Sequence, residues 1–357
     1  MHRWSDTYDR ATSDVIEVQN EIAMNLVRAL EVEIAPSNLG ARAPTSDEAY
    51  DSLLRGLHAL DRLDEAGFNE AAAHFRHALE IDPTYVPAAE GVAAALYGLV
   101  DANYVDEKAG YEQARTAAEA ALKLDSNSVS AHAVLGLIHV QYDFDWPSAA
   151  REFKQALALA PHDPFVLSGA TEERIAVGQW GEAVRIADAA IATNPLEANL
   201  YRLRSYAYLR LGRAAEAESG FRRAMEISPT YSWAHYFVGM ALLSENENEA
   251  ALAEMQKETI REASDAGVIV AYQALHRPKD AGLALARLQA ETSSRWPFGL
   301  AVAYAALGRN IEAFAWLDRA YAARDSSLWA IKGHPFFKNL FSDPRYATLL
   351  RRMNLPE

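Results

Sequence analysis

Hydrophobic positions recur at helical spacing along most of the chain, and this pattern itself repeats about every 34 residues. Pro161, Pro195 and Pro229 stand 34 residues apart, and so do Ala183 and Ala217. A fixed period of this length predicts a stack of similar helix pairs rather than a single globular core. Within each pair, small residues such as the two alanines predict where antiparallel helices cross closely, and proline predicts where the second helix ends.

The pattern predicts eight helix pairs between residues 45 and 325. A capping box at Thr45–Glu48 opens the first pair, in which a hydroxyl and an acid satisfy the free N–H groups of the first turn. Residues 100–108 are expected to form an enlarged loop within the second pair. The second helix of the sixth pair is predicted at 250–261, and the seventh pair is shortened, with helices at 266–275 and 280–288.

The two ends of the chain depart from the repeat. Apolar residues at helical spacing predict an amphipathic helix at Val15–Ile34 within an N-terminal part that spans residues 1–34. Residues 35–44 contain two prolines and a glycine and are typical of a linker. Residues 326–357 are predicted to form a C-terminal cap with a last helix at 344–353, because a solenoid needs a polar-faced element at its exposed end.

Charge and composition narrow the classes of function. The formal net charge is −15, which repels phosphate backbones and anionic membrane surfaces, so nucleic acid is not expected as a direct partner. The chain has no cysteine, which excludes disulfides and thiolate chemistry and agrees with a cytoplasmic location. No apolar run approaches the roughly 20 residues of a membrane span. Neither GxGxxG nor GxxxxGK[ST] nor HExxH occurs, so no cofactor, metal or catalytic site is predicted.

The three best-matched units, at about residues 129–229, resemble the tetratricopeptide repeat family, and the resemblance covers roughly residues 45–325. The segment WSDTYDRATSDVIEVQNEIAMNLVRAL resembles the end of the domain that precedes such repeats in certain bacterial multidomain regulators. These regulators carry a class III nucleotide cyclase or a winged-helix DNA-binding domain. The C-terminal AFAWLDRAYAARDSSLWAIKGHPFFKNLFSDPRYATLLRRMNLP is similar to the end of the same proteins. Neither cyclase activity nor DNA binding carries over, because this sequence contains no cyclase domain and no winged-helix domain.

The resemblance implies an all-α, right-handed superhelical solenoid of about eight antiparallel pairs, in which the first helix of each pair lines a concave groove that binds a peptide or a helix. The family's groove positions fall on residues with the composition of binding hot spots: aromatic residues, arginine and methionine. The candidate partner-binding residues are Phe165, Ser168, Glu172, Asn199, Arg202, Tyr206, Leu209, Arg210, Trp233, Tyr236 and Met240. The alternative is that Tyr206 and Trp233 belong to the core and that the arginines pair with acids of neighbouring repeats.

The sequence therefore predicts a non-enzymatic scaffold for a protein or peptide partner, serving as the regulatory part of a bacterial signalling or transcription regulator. Two other functions stay open. The apolar face of Val15–Ile34 would serve a structural oligomerisation module, with a homodimer as the simplest case. A pocket between repeats, next to the loop at 100–108, would serve a small-molecule sensor or an enzyme.

Overall fold

The computed structural model describes residues 46–229, 231–292 and 296–355, and within these ranges the protein is all-α, with seventeen α-helices and no strand. The predicted helix Val15–Ile34 and the linker 35–44 lie outside the described residues. The helices are α1 Asp47–Leu60, α2 Glu65–Ile81, α3 Val86–Asp101, α4 Glu107–Leu124, α5 Val129–Ile138, α6 Trp146–Leu159, α7 Pro164–Ala176, α8 Trp180–Thr193, α9 Ala198–Arg210, α10 Ala214–Ile227, α11 Ala234–Ser244, α12 Asn248–Met255, α13 Arg261–Ala274, α14 Pro278–Thr292, α15 Pro297–Ala306, α16 Asn310–Ala323 and α17 Pro344–Arg352.

The described residues divide into two compact units. The first comprises residues 46–105 and 116–128, and the second comprises residues 106–115 and 129–355. In both units successive helices pack as pairs joined by short turns, as the 34-residue period predicts. The second unit contains the helices that carry all the candidate partner-binding residues.

Short polar side chains begin many of the helices by accepting hydrogen bonds from otherwise unpaired N–H groups. The Ser46 hydroxyl accepts from the Ala49 N–H at 3.1 Å, so Ser46 is the N-cap of α1, one residue after the predicted cap Thr45. Asp163 begins α7 in the same way by accepting from Val166. At the turn after α9, Gly212 has a φ of 75°, a left-handed conformation that favours glycine.

A large side chain on the second helix of a pair fits between two glycines on the helices that flank it. In the first unit, Phe75 is fully buried between Gly56 and Gly91: a Cβ on either glycine would lie about 2.5 Å from its ring. In the second unit, Phe153 occupies the corresponding place between Gly136 of α5 and Gly169 of α7. This arrangement confirms the prediction that small residues lie where helices cross and that large residues fill the space between successive helix pairs.

The glycine slots predict opposite effects for two glycine-to-alanine substitutions in helices. Gly169→Ala should destabilise the protein by about 1–3 kcal/mol, because its Cβ would lie 2.4 Å from the Phe153 ring. Gly282→Ala on α14 should stabilise it by about 0.5–1 kcal/mol, because no atom lies within 4 Å of the new Cβ and alanine favours the helix. Urea unfolding measures the stability of both variants. If both substitutions changed stability in the same direction, the assignment of Gly169 to a glycine slot would be wrong.

The structure corrects two details of the predicted repeat. The sixth and seventh pairs divide differently: α12 ends at Met255 and α13 begins at Arg261, so the seventh pair is of full length. The turn between them is fixed by Glu258, whose carboxylate accepts from the Ile260 N–H at 3.1 Å. The loop expected at 100–108 comprises only residues 102–106, because α3 and α4 extend to 16 and 18 residues and take up the extra length.

The chain beyond α16 forms two short 3₁₀ helices, Ser326–Ala330 and Pro335–Leu340, before α17. We call residues 325–341 the C-terminal segment. It leaves α16 through Arg324, whose φ of 60° turns the chain sharply. The sequence predicts a cap at the exposed end of the stack, whereas the structure places this segment against helices from the middle of the second unit. Further on, the Met353 carbonyl accepts from Trp146 at the start of α6.

Candidate functional site

Four candidate side chains share one face of α9. Asn199, Arg202, Tyr206 and Arg210 follow one another at intervals of three and four residues, which places them along one side of a helix. We call the face formed by α7, α9 and α11 the groove, since these first helices of successive pairs carry all the candidate residues.

One end of the α9 face is a hydrogen-bonded cluster. The Arg202 Nε donates to Asn199 Oδ1 at 3.0 Å and to the Tyr231 hydroxyl at 2.8 Å, and that hydroxyl donates to Asn199 at 3.0 Å. The Arg202 guanidinium also lies 5.8 Å from the centre of the Phe237 ring, within the range of a cation–π contact. Asn199 and Arg202 are therefore held in place within the repeat itself.

The middle of the α9 face is an aromatic cluster around Tyr206, which is 7% exposed. Its ring meets Phe237 edge to face at 5.3 Å and Phe221 at 6.1 Å. On the remaining side lies the Trp329 ring of the C-terminal segment, at 6.0 Å. Tyr206 is therefore buried, as the alternative interpretation of the sequence expects, but part of what buries it is the C-terminal segment.

Arg210 joins the groove to the C-terminal segment through the main chain. Its Nη2 donates to the Ala330 carbonyl at 2.9 Å, and its guanidinium lies over the Tyr206 ring at 4.5 Å. Its Nε is buried with no hydrogen-bond acceptor. Burial lowers the pKa of Arg210 to about 10, because the charged form loses hydration. Within the described residues Arg210 forms no ion pair, whereas its neighbour Arg204 pairs with Asp188 on α8 at 2.7 Å.

The next part of the segment crosses the groove beside α8. A Cβ on Gly333 would lie 2.7 Å from the Trp180 ring, so only a residue without a side chain fits there. Gly333 has a φ of 67°, which again favours glycine. The adjacent Lys332 Nζ lies 3.4 Å from the Val177 carbonyl, at the negative end of α7.

The candidate residues of α11 are also covered. Tyr236 is 3% exposed and meets the Phe336 ring of the segment edge to face at 6.2 Å. Trp233, half-buried at the start of α11, contacts Trp296 at 4.8 Å. Met240 is fully buried, and Leu209 of α9 is 7% exposed. These four side chains contribute to the core of the second unit.

The candidate residues of α7 divide into buried and exposed positions. Glu172 is buried and accepts a hydrogen bond from the Gln141 Nε2 at 2.7 Å, while Gln141 accepts from Tyr111. Ser168 is buried as well. Phe165, in the first turn of α7, is 38% exposed and is the most accessible of the candidate aromatic residues.

Two carboxyl groups lie together where the segment begins. The Ser326 N–H donates to Glu107 Oε1 at 3.2 Å, and Asp325 accepts from the Phe298 N–H at 2.9 Å. Burial raises the pKa of Glu107 to about 7, and the charge of Asp325 contributes to the same shift. Burial also raises the pKa of Asp325. The segment therefore starts at a pair of acids that repel each other when both are ionised.

An open pocket of about 480 Å³ lies between the segment and the ends of three first helices. Its apolar floor includes Leu243, Val270 and Ala305, and Phe336, Lys338 and Asn339 of the segment form one wall. In residues 46–229, 231–292 and 296–355, no group of three or more His, Asp or Glu residues is placed to hold a metal ion. In the same part of the chain, no helix has both the length and the apolar character needed to cross a membrane.

Sequence reasoning missed the residues that occupy the groove: Trp329, Ala330, Gly333 and Phe336. They do not follow the 34-residue period, and the period was the main signal for structure. A cluster of aromatic residues with glycine and proline, in WAIKGHPFF, is the one feature of the sequence that marks them.

Comparisons with known proteins agree with this architecture. The family model described as tetratricopeptide repeat matches residues 172–232. A structure of the human IFIT1 dimer with m7Gppp-AAAA has a TM-score of 0.54 and 16% identity, covering 87% of this chain and 78% of that chain. A tetratricopeptide repeat protein from Parabacteroides merdae has a TM-score of 0.50 and 13% identity, covering 72% and 99%.

A curated relative is similar over a shorter stretch. "Putative adenylate cyclase 3" of Rhizobium meliloti is 28% identical over 144 residues, which are 38% of this chain and 24% of that protein. The match thus spans about a quarter of the relative's length. Together, the family model and the solved structures support a solenoid of tetratricopeptide repeats.

Proposed function

We propose that this chain is a non-catalytic scaffold that holds a polypeptide segment of a partner protein in the groove of α7, α9 and α11. The observation that carries the proposal is that this face already holds a polypeptide: the chain's own residues 329–336 lie on it. Tyr206 packs on Trp329 and Tyr236 packs on Phe336. Arg210 donates to a main-chain carbonyl. Aromatic residues and arginine are the side chains that contribute most to binding at protein interfaces.

The proposal includes a role as the regulatory part of a larger bacterial regulator in the cytoplasm. Its support is the similarity to the curated cyclase-named protein of Rhizobium meliloti, together with the resemblance of the chain's ends to such regulators. Although human IFIT1 was solved with m7Gppp-AAAA, the net charge of −15 argues against a nucleic-acid ligand here.

Substitution of the exposed groove residue Phe165 tests the proposal. Phe165→Ala should weaken capture of the chain's cellular partner by at least about tenfold, because hot-spot aromatics contribute more than 1.4 kcal/mol each. The matched control is Leu283→Ala on α14, since Leu283 is 65% exposed and lies outside the groove. Quantitative affinity purification measures both variants. Equal loss with both, or loss with the control alone, would contradict the groove assignment.

A small-molecule sensor is the second candidate, because the 480 Å³ pocket has the size and the mainly apolar lining of a ligand site. In this case the ligand would lie beside Phe336 and Lys338, and its binding would hold the C-terminal segment in place. Oligomerisation through Val15–Ile34 stays a prediction from the sequence, since that helix lies outside the described residues.

A further inference from the structure

The C-terminal segment meets the groove, and the start of α8 beside it, through four contacts that a separate polypeptide could also make. Trp329 packs against the Tyr206 ring, and the Ala330 carbonyl accepts from Arg210. The bare backbone of Gly333 lies over the Trp180 ring, and Phe336 packs edge to face on Tyr236. In order along the segment these contacts are an aromatic ring, a carbonyl, a residue without a side chain and a second aromatic ring.

We propose that the groove binds a partner segment with this same order of groups, and that the C-terminal segment is a resident ligand that covers the groove until it is displaced. This inference rests on the proposed function, because it names the chemistry of the partner for the same face. The partner is a short, aromatic-rich polypeptide with a small residue between its two aromatic anchors.

Further contacts hold the segment outside the groove, at its two ends and, in its middle, at the Ile331 carbonyl, which accepts from the Tyr346 hydroxyl of α17 at 2.7 Å. At the start, Asp325 accepts from the Phe298 N–H, and Ser327 accepts from the Trp296 Nε1 at 2.9 Å. At the far end, the Phe337 ring packs on Phe298 at 5.4 Å and the Asn339 side chain donates to the Ala305 carbonyl. Both ends are thus attached to α15 and the residue before it, and only the stretch between them crosses the groove.

The middle of the segment lifts, while its ends stay attached, when its groove contacts and the hydrogen bond from Tyr346 to Ile331 break and Ile331 leaves the core. Because the resident segment is part of the same chain, it acts at the millimolar effective concentration typical of a short tether. A free peptide of the same sequence competes poorly with it in the unaltered protein. A change that weakens only the middle of the segment should therefore expose a binding site for that peptide.

Gly333→Ala makes such a change. A methyl group there would press on the Trp180 ring and would also be held at a φ of 67°. The control is Gly212→Ala, which carries the same kind of backbone strain at a φ of 75° but has no atom within 4 Å of the new Cβ. The probe is a fluorescein-labelled synthetic peptide of residues 326–341, and its binding to each full-length chain is measured by fluorescence anisotropy.

We expect the peptide to bind Gly333→Ala at least about tenfold more tightly than it binds either the unaltered chain or Gly212→Ala. Adding Arg210→Ala to the Gly333→Ala chain should reverse the gain, since the peptide's Ala330 carbonyl would lose its hydrogen-bond donor. Equal affinity for all the chains would overturn the proposal.

A second variant keeps the proposal testable if Gly333→Ala does not fold. Lys332→Glu changes a partly exposed side chain and places a negative charge at the negative end of α7, near the Val177 carbonyl. It should admit the peptide as Gly333→Ala does, with an unchanged circular dichroism spectrum. If both variants stay folded and neither binds the peptide, the resident-ligand inference fails. Loss of partner capture in Phe165→Ala would then still support the scaffold function, so the two failures are distinguishable.

Discussion

Phe337→Ala should lower the free energy of unfolding of the second unit by about 3–5 kcal/mol, the largest effect we expect from a single substitution in this chain. Phe337 is fully buried and packs against Phe298 and His334, so its removal leaves a cavity at the far anchor of the C-terminal segment. Leu340 and Ile331 of the same segment are also fully buried, so this part of the segment belongs to the core.

Phe341→Ala is the matched control for this prediction. It removes the same side chain from the same segment, but Phe341 is 41% exposed, so the expected loss is within about 1 kcal/mol. Equilibrium unfolding in urea measures both variants. Similar losses for the two phenylalanines would mean that the segment does not form part of the core.

Glu107→Gln should reduce the pH dependence of the second unit's stability between about pH 4.5 and pH 7. The pKa of Glu107 is raised from its usual 4.5 to about 7, first by burial and then by the charge of Asp325. The folded state therefore binds this proton more tightly than the unfolded state does. It follows that the free energy of unfolding falls as pH rises from about 4.5 and levels off above about 7. A shift of this size corresponds to about 3 kcal/mol.

The glutamine variant keeps an acceptor for the Ser326 N–H but carries no charge, so it should be more stable than the unaltered chain at pH 8 and similar to it at pH 5. Asp325, whose pKa is also raised, contributes a slope of the same sign. Glu112→Gln, an exposed position on the same helix, provides the control. Thermal melts from pH 5 to pH 8 measure the slopes, and an unchanged slope in Glu107→Gln would contradict this account.

Much of the fold could be predicted because local residues determine it. The recurring prolines 161, 195 and 229 and the alanines 183 and 217 specify where helices end and cross, and neighbouring units supply all their contacts. The slots around Phe75 and Phe153 confirm this reasoning. Helix boundaries in the sixth and seventh pairs were wrong because the turn depends on Glu258, which lies outside the period.

The types of residue in the candidate site could be predicted from the sequence, but the segment that covers them could not. Tyr206, Arg210 and Tyr236 contact the C-terminal segment of the same chain. Their occupant could not be foreseen, because the contact between Arg210 and Ala330 joins residues 120 positions apart. No periodicity encodes such a pairing. The assignment of these residues to an external partner stays a prediction.

The contact between Trp146 and Met353 has a consequence for how the second unit is made during translation. Its partners are separated by 207 residues, and Phe144 beside it stacks on Tyr321 at 6.3 Å. An open array of repeats can fold one unit after another as the chain leaves the ribosome. Here α6 completes its contacts only after Met353 has emerged, so the earlier repeats wait with their groove uncovered. Contacts of such high sequence separation also slow folding. The nascent chain therefore passes through a stage in which the groove is open to any suitable segment in its surroundings.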